Sequence, residues 1–287
     1  MADVVLAAVP TPFTADGALD AGAARRLFGF VAGVADGLFV AGTTGEFPAL
    51  DDDERLALVE IALEVAGPER VIAHIGAPDA HRAARLASSA VRLGATRIAA
   101  ITPYYLAPLP AEVTAYFDRI RQAAPAAGLY SYIFPERTGL TVPPDQFAAL
   151  AQAAGLAGAK FSGAAARNVA ACAAACPGVK IFSGDDSNLA LTLRSGGAGI
   201  ISARASAFPE VFAALSAALA AGDADTVAAH QADVTAIAST GASIGRVKEA
   251  LRLRGFGSMA ARMPVAAPDE MTAARIAELV KSLAHAV

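Results

Sequence analysis

Lysine is scarce in this 287-residue chain: Lys160, Lys180, Lys248 and Lys281 are the four, and none precedes residue 160 although arginine is used freely. Lys160 ends the apolar run Leu156-Ala157-Gly158-Ala159-Lys160. An ammonium at the end of a buried strand loses hydration, so its pKa falls and the neutral amine becomes available as a nucleophile toward a ketone. The competing reading is a structural ion pair with a carboxylate such as Asp185 or Glu46. Lys180 stands at the start of a strand, while Lys248 and Lys281 fall in amphipathic helices beside Glu249 and near Glu278.

Other reactive types gather around similar positions. Gly42-Thr43-Thr44-Gly45-Glu46 follows an apolar run, and its hydroxyls and amides suit a small carboxylate. Of the five tyrosines, Tyr104, Tyr105, Tyr130 and Tyr132 occupy two neighbouring strand ends, where a phenol can relay protons. Asp185, Asp186 and Glu46 would be the ligands of a metal-dependent enzyme, although adjacent residues of an extended chain diverge and a hydrogen-bonding role at a rim suits the two aspartates better. Cys172 and Cys176 lie four apart on an Ala-rich helix without a nearby His pair and read as packed thiols. His74, His81, His230 and His285 are scattered, and no metal site is expected.

The elements that must position these groups alternate with a spacing of one β-α unit. Strands are predicted at 4–9, 37–42, 71–76, 97–102, 128–134, 156–161, 179–183 and 198–202, mostly as continuous apolar runs of the kind covered on both faces. Helices between them include 51–66, 79–93, 111–124, 143–154 and 209–221, with Asp, Pro or Glu at their starts and mostly closed near Gly. Eight such units predict an α/β fold, a (β/α)8 TIM barrel over residues 1–222. Three further helices, 224–240, 244–254 and 270–286, predict a C-terminal appendage over 223–287. An open doubly wound sheet is the chief competitor, but the first strand runs into Pro10-Thr11-Pro12-Phe13 instead of a Gly-rich phosphate turn. Gly196-Gly197-Ala198-Gly199 enters the eighth strand instead of leaving it, so it does not read as a phosphate loop.

Composition narrows the function classes. The chain is 55% hydrophobic and 17% charged, which excludes disorder as the main state. Alanine makes up about a quarter of it, and no apolar run approaches the roughly 20 residues of a membrane span. A net charge of −4, without a basic aromatic surface, argues against nucleic acid as a partner. Residues 1–10 lack a basic start and the two cysteines make no disulfide framework, so a cytoplasmic location is expected.

Taken in order, Pro10-Thr11-Pro12-Phe13, Gly42-Thr43-Thr44-Gly45-Glu46, Thr102-Pro103-Tyr104-Tyr105, Tyr132 three residues before Pro135, Gly158-Ala159-Lys160, Ser183-Gly184-Asp185-Asp186 and the run from Gly196 to Ser202 resemble the dihydrodipicolinate synthase and N-acetylneuraminate lyase family of pyruvate-dependent class I aldolases. The resemblance implies that Lys160 forms the Schiff base and that Tyr132 shuttles protons. It gives Thr43, with Thr44 and the close backbone of Gly42, the hold on the pyruvate carboxylate, and makes Thr43 a relay between phenols. It places Ile201 in the pyruvate pocket and Tyr105 in a neighbouring subunit's site, which implies a homodimer or homotetramer. It implies no cofactor.

Arg137 matches the arginine that dihydrodipicolinate synthases offer to the carboxylate of an incoming amino-acid aldehyde, a task suited to a guanidinium fork. The activity so implied is that of a 4-hydroxy-tetrahydrodipicolinate synthase. A 2-keto-3-deoxy sugar-acid aldolase or dehydratase, or an N-acetylneuraminate lyase-like enzyme, is the alternative within the family. Ile133 replaces the usual Asn after the tyrosine, and Phe161-Ser162-Gly163-Ala164-Ala165 replaces a more polar stretch, so two polar contacts to the second substrate are expected to be missing. Those losses motivate a further alternative, a non-catalytic keto-acid-binding relative. Gly76-Ala77-Pro78-Asp79 and Phe47-Pro48 replace features of a lysine feedback site, so lysine inhibition is not expected.

Overall fold

The computed structural model describes residues 3–283. Among them eight parallel strands, β1 (Val5–Ala8), β2 (Gly37–Val40), β3 (Val71–His74), β4 (Arg97–Ile101), β5 (Gly128–Ile133), β6 (Gly158–Phe161), β7 (Lys180–Ser183) and β8 (Gly199–Ser202), close in chain order into a TIM barrel. The helices are α1 (Ala21–Ala32), α2 (Asp52–Ala66), α3 (Ala80–Arg92), α4 (Pro110–Ala123), α5 (Pro135–Thr138), α6 (Pro144–Ala153), α7 (Val169–Ala175), α8 (Leu189–Arg194), α9 (Pro209–Ala221), α10 (Ala224–Ser239), α11 (Ile244–Leu253) and α12 (Glu270–Leu283). Each predicted strand is present, trimmed by up to two residues at an end. The predicted end of the last helix at residue 286, with His285, lies outside the described residues. Among the described residues no helix is long and apolar enough to cross a membrane.

The local signals work as their chemistry requires. Asp20, Asp51, Asp79 and Asp223 cap α1, α2, α3 and α10 by accepting a backbone N–H of the first turn, and Asp51 forms a reciprocal capping box with Glu54. Proline opens α4, α5, α6 and α9, where its missing N–H costs nothing.

The chain divides into two compact units. The first comprises residues 3–70 with 202–283. In it β1 pairs with β2 from Leu6 opposite Gly37, α1 packs on α2, and α10 packs on α9. Arg254, just past α11, reaches back to the start of α9, where Glu210 receives both guanidinium nitrogens at 3.1 and 2.6 Å.

The second unit comprises residues 71–201. Its strands are almost wholly buried, and their register sets the rung that carries Lys160: Ile101 lies opposite Tyr132, Tyr132 opposite Lys160, Lys160 opposite Phe182 and Phe182 opposite Gly199. One layer below, Gly158 faces Tyr130 so closely that a Cβ would stand 2.2 Å from the ring. Because successive residues of a strand point to opposite faces, Ile133 and Phe161 form the outward rung, and the Phe161 ring meets Phe147 of α6 edge to face at 5.0 Å. That contact seats β6 on its covering helix. Phe147→Ala should lower the unfolding free energy by about 3–5 kcal/mol in a denaturant titration, whereas Val34→Ala at the surface should change it by less than about 0.5 kcal/mol.

Candidate active site

Lys160 reaches its position at the end of β6 with only 6% of its surface exposed. Its ammonium lies over the Tyr132 ring, 4.6 Å from the centroid, as the register between β5 and β6 dictates. Burial pushes the amine down to about 7, and the charge of Asp186 resists that fall. The Tyr132 ring meets His74 edge-on at 6.2 Å, and His74 Nε2 accepts the Ile101 N–H at 3.2 Å. Ile201, two residues past Gly199 and therefore on the same face of β8, is buried.

The two aspartates after β7 have separate tasks. Asp185 is exposed and closes a turn, accepting from Ser187 N–H at 3.2 Å and Asn188 Nδ2 at 2.6 Å. Asp186 is buried, and it is the carboxylate whose charge acts on Lys160. Sequence reasoning offered Asp185 or Glu46 as that partner and missed Asp186, because the direction of two adjacent acids depends on how the turn is made. His74 was missed as well: a lone histidine in an apolar strand carries no signal until its neighbours are known.

Arg137 sits in α5, exposed, with its guanidinium over the Phe134 ring at 5.4 Å, and that ring lies 5.9 Å from Tyr132. Three residues thus run from the buried lysine's phenol to the surface. Beside Arg137, Glu136 accepts the Ala164 N–H at 2.7 Å, joining the loop after β5 to the loop after β6. Ile133 and Phe161 face the covering helix, so the expected loss of two polar substrate contacts is corrected: those positions are packing sites on the outer face.

Tyr105 is 94% exposed and has a left-handed backbone (φ 79°), with Leu106 and Leu109 also exposed nearby. It lines an open pocket of about 900 Å³ together with Tyr104, Pro108 and Arg119; Tyr132 and Lys160 are not part of that lining. A single copy of the second unit therefore gathers Lys160, Tyr132, Asp186 and His74, and leaves Tyr105 outside.

In the first unit, Gly42, Thr43 and Thr44 form a tight turn after β2. Glu46 N–H donates to Thr43 O at 3.0 Å, Thr11 Oγ1 to Gly45 O at 2.6 Å, and a Cβ on Gly42 would stand 2.5 Å from the Phe39 ring. Glu46 is fully buried and pairs with Lys248. Lys248 is therefore not a solvated helix lysine; Glu249 instead takes Arg252, and Glu278 takes Arg275. The carboxylates a metal-dependent reading would need, Glu46, Asp185 and Asp186, have these other engagements, and among the described residues no three His, Cys, Asp or Glu side chains gather. Burial pushes the Cys172 thiol up to about 12 and that of Cys176, just past the helix end, upward too, as expected for packed thiols.

A neutral amine forms at Lys160 as pH rises through its lowered pKa. Reductive methylation of Lys160 by formaldehyde, followed by peptide mapping across pH, should inflect at about pH 7. Asp186→Asn removes the charge that supports the ammonium and should move the inflection to lower pH; an inflection in the ordinary lysine range would refute the dry environment.

Residues 1–283 match the model of the dihydrodipicolinate synthetase family. The chain is 33% identical to a 4-hydroxy-tetrahydrodipicolinate synthase of Acidothermus cellulolyticus, over 98% of this chain and 92% of that one. It is 35% identical to an uncharacterized DapA-like lyase of Halobacterium salinarum, over 93% and 89%. Among solved structures it is similar to YagE of E. coli K12, a prophage protein of the dihydrodipicolinic acid synthase family in complex with pyruvate, with a TM-score of 0.89, 28% identity and 98% of each chain covered. The dihydrodipicolinate synthase of Thermotoga maritima gives a TM-score of 0.90 at 26% identity, covering 99% of each. With a buried lysine beside a phenol in an eight-stranded barrel, the chain belongs to the dihydrodipicolinate synthetase family, as a carbon-carbon or carbon-oxygen lyase of the class I aldolase type.

Proposed function

We propose that this enzyme is a pyruvate-dependent Schiff-base aldolase of the 4-hydroxy-tetrahydrodipicolinate synthase type, acting in the cytoplasm as a homodimer or homotetramer without a metal or organic cofactor. The observation that carries the reading is the Lys160 amine, desolvated to a pKa of about 7 over the Tyr132 ring. Its neutral nitrogen attacks the keto carbon of pyruvate, the keto oxygen leaves as water, and a C=N bond forms. The iminium acidifies the methyl group, which loses a proton to give an enamine. The enamine carbon then bonds to an aldehyde carbon, and water hydrolyses the iminium to free Lys160. Tyr132 carries protons in these steps, with Thr43 and Tyr105 as relays. Thr43, Thr44 and the amides after Gly42 hold the carboxylate, and Ile201 fills the pyruvate pocket.

Two points support the synthase over other aldolases: the curated relatives include 4-hydroxy-tetrahydrodipicolinate synthases, and Arg137 stands exposed over the Phe134 ring, open to a carboxylated aldehyde. The pyruvate complex of YagE supports pyruvate as the ketone. With Ile133 and Phe161 on the packing face, the motive for a non-catalytic relative falls away. The exposed Tyr105, Leu106 and Leu109 support self-association, because large apolar side chains at one loop gain by leaving water.

Intact mass and peptide mapping after incubation with pyruvate and borohydride test the mechanism: one reduced adduct on Lys160 is expected, and none on Lys160→Ala. A folded enzyme with no adduct in excess pyruvate would overturn the proposal. Tyr132→Phe should lower kcat by about 10²-fold or more. Aspartate semialdehyde should be turned over, and Arg137→Ala should raise its KM while leaving that of pyruvate unchanged; turnover of sugar-acid aldehydes in its place would move the assignment to a 2-keto-3-deoxy sugar-acid aldolase.

A further inference from the structure

Glu46 is the last residue of the turn that follows β2, yet its side chain belongs to the C-terminal part of the chain. Its Oε2 accepts the backbone N–H groups of Arg262 and Met263 at 2.9 and 2.7 Å, and its other oxygen pairs with Lys248 of α11. Lys248, 2% exposed, also donates to Ala260 O at 2.6 Å. Two cations lie over the Phe13 ring, Lys248 Nζ at 4.6 Å and the Arg262 guanidinium at 4.3 Å from its centroid. Arg262 continues outward, donating to both oxygens of Glu54 at 2.6 Å each and to Ala49 O at 3.0 Å. The segment from Ala260 to Met263 is thus fastened to both ends of the stretch from Glu46 to Glu54.

The backbone explains why the fastening matters. Ala41 and Glu46, the residues flanking the Gly-Thr-Thr-Gly turn, are both left-handed at φ 53° and 56°, a conformation that side chains disfavour and that persists only where surroundings impose it. A buried ion pair adds little net stability, because desolvating both charges cancels most of the attraction, but it does select one geometry. Glu46 N–H bonds to Thr43 O, so a shift of Glu46 passes directly into the threonine turn.

We propose that Glu46 is a positioning residue for the substrate carboxylate: held by Lys248 and the Arg262 and Met263 amides, it fixes the Thr43-Thr44 turn and makes carboxylate affinity depend on the C-terminal helical segment. The inference rests on the reading of Thr43 and Thr44 as the carboxylate hold. It is tested with two ketones, pyruvate and hydroxyacetone, which lacks the carboxylate, each titrated against the borohydride-trapped adduct on Lys160 in the full-length enzyme. Glu46→Gln and Lys248→Met should each raise the half-saturating pyruvate concentration about tenfold, leave that of hydroxyacetone within about twofold, and leave the maximal adduct unchanged. The double variant, which removes both charges, should regain most of the loss. Equal losses for the two ketones, or none, would overturn the positioning role. If either single variant fails to fold, Glu46→Asp is read by the same criteria, since it keeps the charge and shortens the reach to the Arg262 and Met263 amides. A wild-type enzyme that traps hydroxyacetone but not pyruvate on Lys160 would refute the carboxylate hold itself, and one that traps neither would refute the Schiff-base reading.

Discussion

A charged lysine at the mouth of a parallel barrel is held against its own desolvation. Water would stabilise the Lys160 ammonium, and the barrel denies it water on nearly every side, so the amine drifts toward neutrality until Asp186 restrains it. The rest of the second unit follows from that constraint. The rung that joins Tyr132, Lys160 and Phe182 places a ring face under the nitrogen, and the outward rung of Ile133 and Phe161 locks the same two strands to α6. Moving either strand by one residue would exchange the two faces and put the Lys160 amine among the helices.

The first unit solves a different problem, that of holding a strained turn still. Glycine alone would make such a turn easy to form and easy to deform. Here two non-glycine residues in the left-handed region bracket it, and a buried carboxylate ties it to residues more than two hundred positions later.

The proposed chemistry and the proposed substrate choice draw on different parts of this architecture. The buried lysine and the phenol, to which the proposal gives the chemistry, occupy strand positions that register controls. The proposed reading assigns the choice of aldehyde to the loop of Glu136 and Arg137, where the Glu136 carboxylate accepts the Ala164 N–H and the Arg137 guanidinium lies over the Phe134 ring. Such a loop can change its partner without disturbing the rung beneath it.

The strand order, the strand positions, most helix boundaries and the burial of Lys160 near a strand end were legible in the amino-acid order, because they depend on local properties: apolar runs long enough for a covered strand, caps at helix starts, and a single lysine at the end of such a run. Tertiary structure decided what depends on direction and on distant partners. It separated Asp186 from Asp185, turned Ile133 and Phe161 toward the covering helix, and took Lys248 from a helix surface into a buried pair with Glu46. Sequence spacing states which residues are near one another along the chain, whereas the partner of a buried charge is fixed by which side chains share the dry volume around it.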